Sequence, residues 1–296
     1  EPDRYEEIEE TVGVKYPGGL TMLFPRMWSA GHADKYQQWL GDITMKDVTF
    51  STPDGQVMPG QMPSQWDNIR FLFSYQINFM YWRYFMWNFA GRQNDLQSQG
   101  ELEHGNWITG IPFIDNAMYG DQSLLPDSLK NNKGHNVFFC LPLILGLIGL
   151  FWQTYKGEKG VRQFWVVFFL FFMTGLAIVL YLNQPPSQPR ERDYAYAGSF
   201  YAFAIWIGLG VAALAVWMEK LTKKNNAVPA IVASVVGVLV PIQMVSQTWD
   251  DHDRSDRYAC RDFGLNYLNS LPEKGGPVIF TNGDNDTFPL WYNQEV

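Results

Sequence analysis

The residues best suited to chemistry are concentrated in one stretch, NQPPSQPRERDYAYAGSFY, at positions 183–201. Pro185, Pro186 and Pro189 force extended backbone there. Arg190, Glu191, Arg192 and Asp193 follow directly. A guanidinium is a planar fork that matches phosphate oxygens in pairs, so Arg190 and Arg192 could clamp a phosphate or pyrophosphate. Glu191 and Asp193 would orient them. The competing reading is an internal salt-bridge network that fixes the loop. A simple connector needs neither the prolines nor the alternating charge, which favours the phosphate site.

Two further arginines belong to the same chemistry. Residues 70–90, RFLFSYQINFMYWRYFMWNFA, are nearly saturated with aromatic side chains and methionine, yet include Arg83. Arg92 follows in GRQND, residues 91–95, which ends the segment. A central arginine is costly in a spanning helix. Amphipathic rings prefer the headgroup level, so the composition predicts an interfacial helix over about 70–90. The alternative is a helix buried in an extracytoplasmic domain. Arg83 and Arg92 are weaker candidates for a lipid phosphate.

A third group is TNGDNDTFP at 281–289. Asp284 and Asp286 could hold a divalent cation through oxygen ligands, or with Asn285 contact an acceptor. A turn rich in Asp, Asn and Gly is the simpler reading, and no metal site is assigned. No P-loop, GxSxG, HExxH, CxxC pair or dinucleotide fingerprint occurs, so nothing supports nucleophilic hydrolysis or nucleotide-driven transport.

These residues are positioned by a chain of two characters. Its mean hydropathy of −0.18 is unremarkable, but the average hides a contrast. Residues 1–136 and 246–296 are polar and rich in Gly, Pro and Asn, whereas 137–245 are mostly apolar. Four apolar runs predict transmembrane helices at 137–155, 163–182, 196–218 and 227–245, since a hydrocarbon core of ~30 Å needs roughly 20 helical residues. Small residues at four-residue spacing (Ala204, Gly208 and Ala212, then Ala233 and Gly237) predict close helix approach. Pro142, Pro229 and Pro241 predict kinks or ends.

The connecting loops predict the topology. Lys156, Lys159 and Arg162 follow the first run, and Lys220, Lys223 and Lys224 follow the third. Such clusters mark the cytoplasmic side. The N-terminal region, the 183–194 loop and the C-terminal region then all face outward. In the last of these, 254–271 reads as an amphipathic helix and 277–281 as a buried strand opening an α/β domain.

The net charge of −8 gives no bulk attraction for nucleic acid. Cys140 and Cys260 lie in regions of different character, so no disulfide is expected. The chain opens at Glu1 without Met and stops at Val296. Both ends read as cuts, and a piece of a longer polypeptide is expected.

FMYWRYFMWNFAGRQND, GNWITGIPFIDN, QPRERDYAYAGSFYAFAIW and FTNGDNDTFPLWY together resemble the glycosyltransferase family 117 proteins, the protein O-mannosyltransferase-like membrane proteins of Bacteroidetes. The resemblance runs from about residue 66 to 296. It implies a GT-C-type fold, of which this chain would hold a partial bundle, in the bacterial inner membrane with its large polar regions periplasmic. It implies transfer of a sugar, mannose-like, from a polyprenyl-phosphate donor to a protein Ser or Thr. It also implies that the catalytic acidic residue lies in an N-terminal part upstream of Glu1, so no catalytic base is assigned here. The expected partners are membrane lipid, the lipid-phosphate donor, a protein acceptor and that N-terminal part. The rival reading is a non-catalytic scaffold or subunit of an envelope complex.

Overall fold

A computed structural model of the chain describes residues 18–52, 55–188, 192–223 and 227–296. It is mainly helical and divides into two compact units, Glu1–Gln247 and Thr248–Val296.

In the first unit, helix α1 (Ala33–Leu40) precedes an antiparallel hairpin of β1 (Met45–Ser51) and β2 (Val57–Pro63). Ser64 then starts the long aromatic helix. Its Oγ accepts from the Asp67 amide at 3.1 Å and donates to the Asp67 carboxylate at 2.7 Å, a local cap that satisfies one orphan donor of the first turn. The helix runs as α2 (Gln65–Phe71), a π-helical stretch (Leu72–Trp82) and α3 (Arg83–Phe89). Phe71, Tyr75 and Phe79 recur every four residues and stack with ring centroids 5.0 and 5.5 Å apart. Trp39 of α1 packs against both Tyr75 and Phe79.

Beyond this helix, β3 (Gly91–Arg92) pairs with β4 (Asn136–Val137), and α4 (Pro112–Tyr119) and α5 (Asp127–Lys130) lie between them. Gly91 adopts φ +157, and a Cβ there would lie 2.7 Å from the Asn136 carbonyl oxygen. The short pairing therefore depends on glycine. Cys140 and Cys260 are both free thiols.

The apolar region forms α6 (Leu141–Thr154), α7 (Glu158–Met173), α8 (Leu176–Leu182), α9 (Ala197–Thr222) and α10 (Val228–His252). Three helical stretches are long and apolar enough to cross a membrane: Glu158–Leu182, Asp193–Thr222 and Val228–His252. The first predicted span is corrected. Its helix has only 14 residues, about 21 Å at 1.5 Å per residue and short of a ~30 Å core. Phe139 and Cys140 take left-handed backbone, which stops the helix from extending backwards.

The close helix seam is also not the predicted one. Ala204, Gly208 and Ala212 are exposed, and Gly208 faces open space. Contact instead runs along Ala202, Trp206, Gly210 and Ala213 of α9, against Gly146 and Gly149 of α6. Two small-residue stripes lie on α9, and the glycines of α6 decide which one is buried. Gly237 does approach a neighbour, Val211. The indole of Trp206 donates to Gln153 Oε1 at 2.8 Å within this seam. That bond satisfies a buried N–H.

Helix α3 lies against the same bundle. Phe85 and Phe89 pack on Phe203 with ring centroids 4.9 and 4.7 Å apart. Tyr81 donates to Ser199 Oγ at 3.1 Å. The break between α7 and α8 falls at Thr174 and Gly175, and a Cβ on Gly175 would lie 2.7 Å from the Tyr81 hydroxyl.

The second unit holds α11 (Ala259–Asn269) and α12 (Asp284–Glu295). Gly264 lets α12 approach, and Asn293 Nδ2 donates to the Arg261 carbonyl at 3.0 Å. The predicted strand at 277–281 is absent among these residues: Val278 and Phe280 are 74% and 93% exposed. A buried strand needs neighbouring strands to pair with, and α11 and α12 supply none.

Candidate functional site

A cleft opens where α8 ends and α9 begins. The aromatic helix supplies Tyr75, Phe79, Met80 and Arg83 to one wall. The loop after α8 and the turn into α9 supply Gln184, Gln188, Arg192, Asp193 and Tyr196, and residues 97–99 close a third side. The cleft has a volume of about 30 Å³. It is a narrow slot.

Arg83 is the most constrained of its charged groups. It is 5% exposed. Its Nε donates to the Phe79 carbonyl at 2.9 Å, four residues back, and its Nη1 donates to the Gly105 carbonyl at 3.1 Å. The guanidinium also lies 3.8 Å from the centre of the Phe79 ring and 4.6 Å from that of Trp87. Arg92 lies 4.3 Å from the same Trp87 ring. Trp87 thus carries two guanidinium groups, each stabilised by the electron-rich ring face. Such stacking helps to hold a cation in place.

Arg192 is exposed and Asp193 half-buried at the mouth of α9. Asp193 Oδ1 accepts from the Tyr194 amide at 3.0 Å. Burial pushes the nearby Tyr84 hydroxyl up to about 12; the Asp193 charge adds to the rise and Arg92 opposes it. Asp193 and Arg92 therefore act on one hydroxyl from opposite signs. Across the slot, Gln97 Nε2 donates to the Gln188 carbonyl at 3.4 Å and Ser187 Oγ to Gln99 Oε1 at 3.3 Å. These bonds tie the proline-rich loop to residues 97–99.

Of the residues nominated from sequence, the structure brings Arg83, Arg192 and Asp193 to one cleft, and Arg92 stacks on Trp87 without lining that cleft. Arg190 and Glu191 lie outside the described residues. Asp284, Asn285 and Asp286 form the first turn of α12, where their charge suits a helix N-terminus. Among the described residues no group of three or more His, Cys, Asp or Glu side chains is placed to hold a metal ion. Sequence reasoning missed Gln184 and the residues of 97–99. The one signal was Gln184 standing just before Pro185–Pro186, a polar side chain on fixed backbone.

A second, wider cavity of about 360 Å³ lies beside β3 and β4, with Gln93, Asn116, Gln122 and His135 in its wall. Asp115 borders it and is fully engaged. It accepts from the Thr109 amide and hydroxyl, both at 2.8 Å, and from the Gly110 amide at 2.9 Å.

Residues 260–296 match the family model described as TMEM260-associated domain 2. Residues 1–73 match a family of unknown function, DUF8416. Neither description names a glycosyltransferase. No curated protein matches the chain, and no solved structure does.

Proposed function

We propose that this chain is part of a membrane glycosyltransferase. It would help move a mannose-like sugar from a polyprenyl-phosphate donor to a protein Ser or Thr on the periplasmic face of the bacterial inner membrane. The observation that carries this reading is the convergence of Arg83, Arg192 and Asp193 on one slot, beside helices apolar enough to span a bilayer. A lipid phosphate has its tail in hydrocarbon and its charge at the interface, so its site needs both features together.

The chemistry follows from where charge develops. When the bond between sugar and phosphate breaks, negative charge grows on the departing phosphate. A fixed cation stabilises that charge more than it stabilises the ground state. Arg83 is held rigid by its two carbonyl bonds and two rings, so it needs no reorganisation. Arg192, being exposed, can close on the phosphate when it arrives. Asp193 would orient Arg192. The Lys156–Arg162 and Lys220–Lys224 loops would face the cytoplasm.

The test is sugar transfer by the full-length gene product carrying Arg192→Ala. Its exposed position makes the fold insensitive to the change. Transfer should fall by roughly 10²-fold or more, with an unchanged melting curve. Arg83→Lys keeps the charge but loses the planar stacking, and should also be impaired. Wild-type transfer by the Arg192→Ala protein overturns the role.

A further inference from the structure

Gln184 is 5% exposed and lines the slot, yet among the described residues neither its Nε2 nor its Oε1 has a hydrogen-bond partner. A buried amide left unpaired destabilises a fold. Gln184 is nonetheless held firmly. Its carbonyl accepts from Gln76 Nε2 at 3.0 Å, and Gln76 is fully buried in the π-helical stretch. The same nitrogen donates to Asn183 Oδ1 at 3.0 Å. Pro185 and Pro186 follow and are buried as well. An amide fixed in this way and left unpaired in a cleft is a recognition group awaiting its ligand.

The chemistry of the amide narrows that ligand. Both a donor and an acceptor are buried and unpartnered. A phosphate oxygen only accepts, and would leave Oε1 unpaired beside a negative charge. A hydroxyl both donates and accepts, so it satisfies both ends. We infer that Gln184 binds a hydroxyl of the sugar attached to the donor phosphate and thereby selects which sugar is carried. This rests on the reading of the slot as the donor site.

The experiment compares two probes on the full chain in lipid nanodiscs: a short-chain prenyl phosphate and its hexosyl ester. Gln184→Leu should weaken the hexosyl ester by roughly tenfold and leave the bare prenyl phosphate within about twofold. It should also leave the melting temperature unchanged or raise it by a few degrees, because an unpaired buried amide is replaced by an apolar group of similar size. Gln184→Ala should show the same split between the probes. Equal weakening of both probes makes Gln184 a phosphate ligand and overturns the inference. A lowered melting temperature with no split between the probes makes it a structural residue and does the same. A wild-type chain that binds neither probe overturns the donor reading itself, and the inference with it.

Discussion

Gly149 and Gly208 stand in apolar helices that look alike in sequence, and the structure assigns them opposite consequences. A Cβ on Gly149 would press into the Trp206 carbonyl oxygen and lie 2.6 Å from the Gly210 amide nitrogen. Both are backbone atoms of α9, so no side chain can swing aside. Ordinary carbon contacts lie near 3.5–4.0 Å, so α6 and α9 must part by about an ångström. That separation strips contact from the whole seam, including the buried Trp206–Gln153 bond. Overpacking of this kind costs about 1–3 kcal/mol. At Gly208 no atom of the described residues lies within 4 Å of such a Cβ, and alanine there gains about 0.5–1 kcal/mol of helix stability. The assay is thermal unfolding of Gly149→Ala and Gly208→Ala, purified in one detergent and followed by tryptophan fluorescence. Gly149→Ala should melt clearly below wild type, and Gly208→Ala at or above it. Equal melting of the two variants would refute the seam and the placement of α9 that depends on it.

Other consequences can be measured directly. Asn68 is fully buried, and its Oδ1 accepts from the Arg26 and Met27 amides at 2.5 and 2.8 Å. Asn68→Ala leaves both amides unpaired and should cost about 2–4 kcal/mol, with protease cleavage appearing first near residues 24–28. Burial works to raise the Asp67 carboxyl, but the Ser64 hydroxyl, the Thr44 amide and Arg70 outweigh it and hold it below the usual range. A depressed carboxyl contributes stability that is complete above the unfolded value of about 3.9 and is lost as the pH falls through the lower folded value. Asp67→Asn should therefore be less stable than wild type at neutral pH, and the gap should close on acidification below about pH 4. A pH-independent gap would show that the charge is not what matters there.

How far the sequence went can be judged residue by residue. The long apolar helices were legible because length and composition alone define them. Leu141–Thr154 was overread because an apolar run carries no mark of where left-handed backbone interrupts it; Phe139 and Cys140 do so. The small-residue stripe was misplaced because spacing selects a periodicity and not a face. The strand at 277–281 was inferred from apolar residues that pair with no strand among the described residues. For the site, charge and proline marked Arg192 and Asp193, and an arginine among aromatic residues marked Arg83. Their convergence depends on the register between the aromatic helix and α9, which is set by Phe85, Phe89 and Phe203 across more than a hundred residues of chain. Gln184 carries no charge and matches no motif, so beyond its place before Pro185–Pro186 it is its burial and its unpartnered amide that reveal it.

The most direct test of the donor site is a phosphorus NMR titration of a short-chain prenyl phosphate against the chain in nanodiscs. A saturable change in the phosphate resonance is predicted, reduced roughly tenfold or more in affinity by Arg192→Ala and weakened by added salt. A resonance that never saturates, or that responds identically to wild type and Arg192→Ala, would contradict the account.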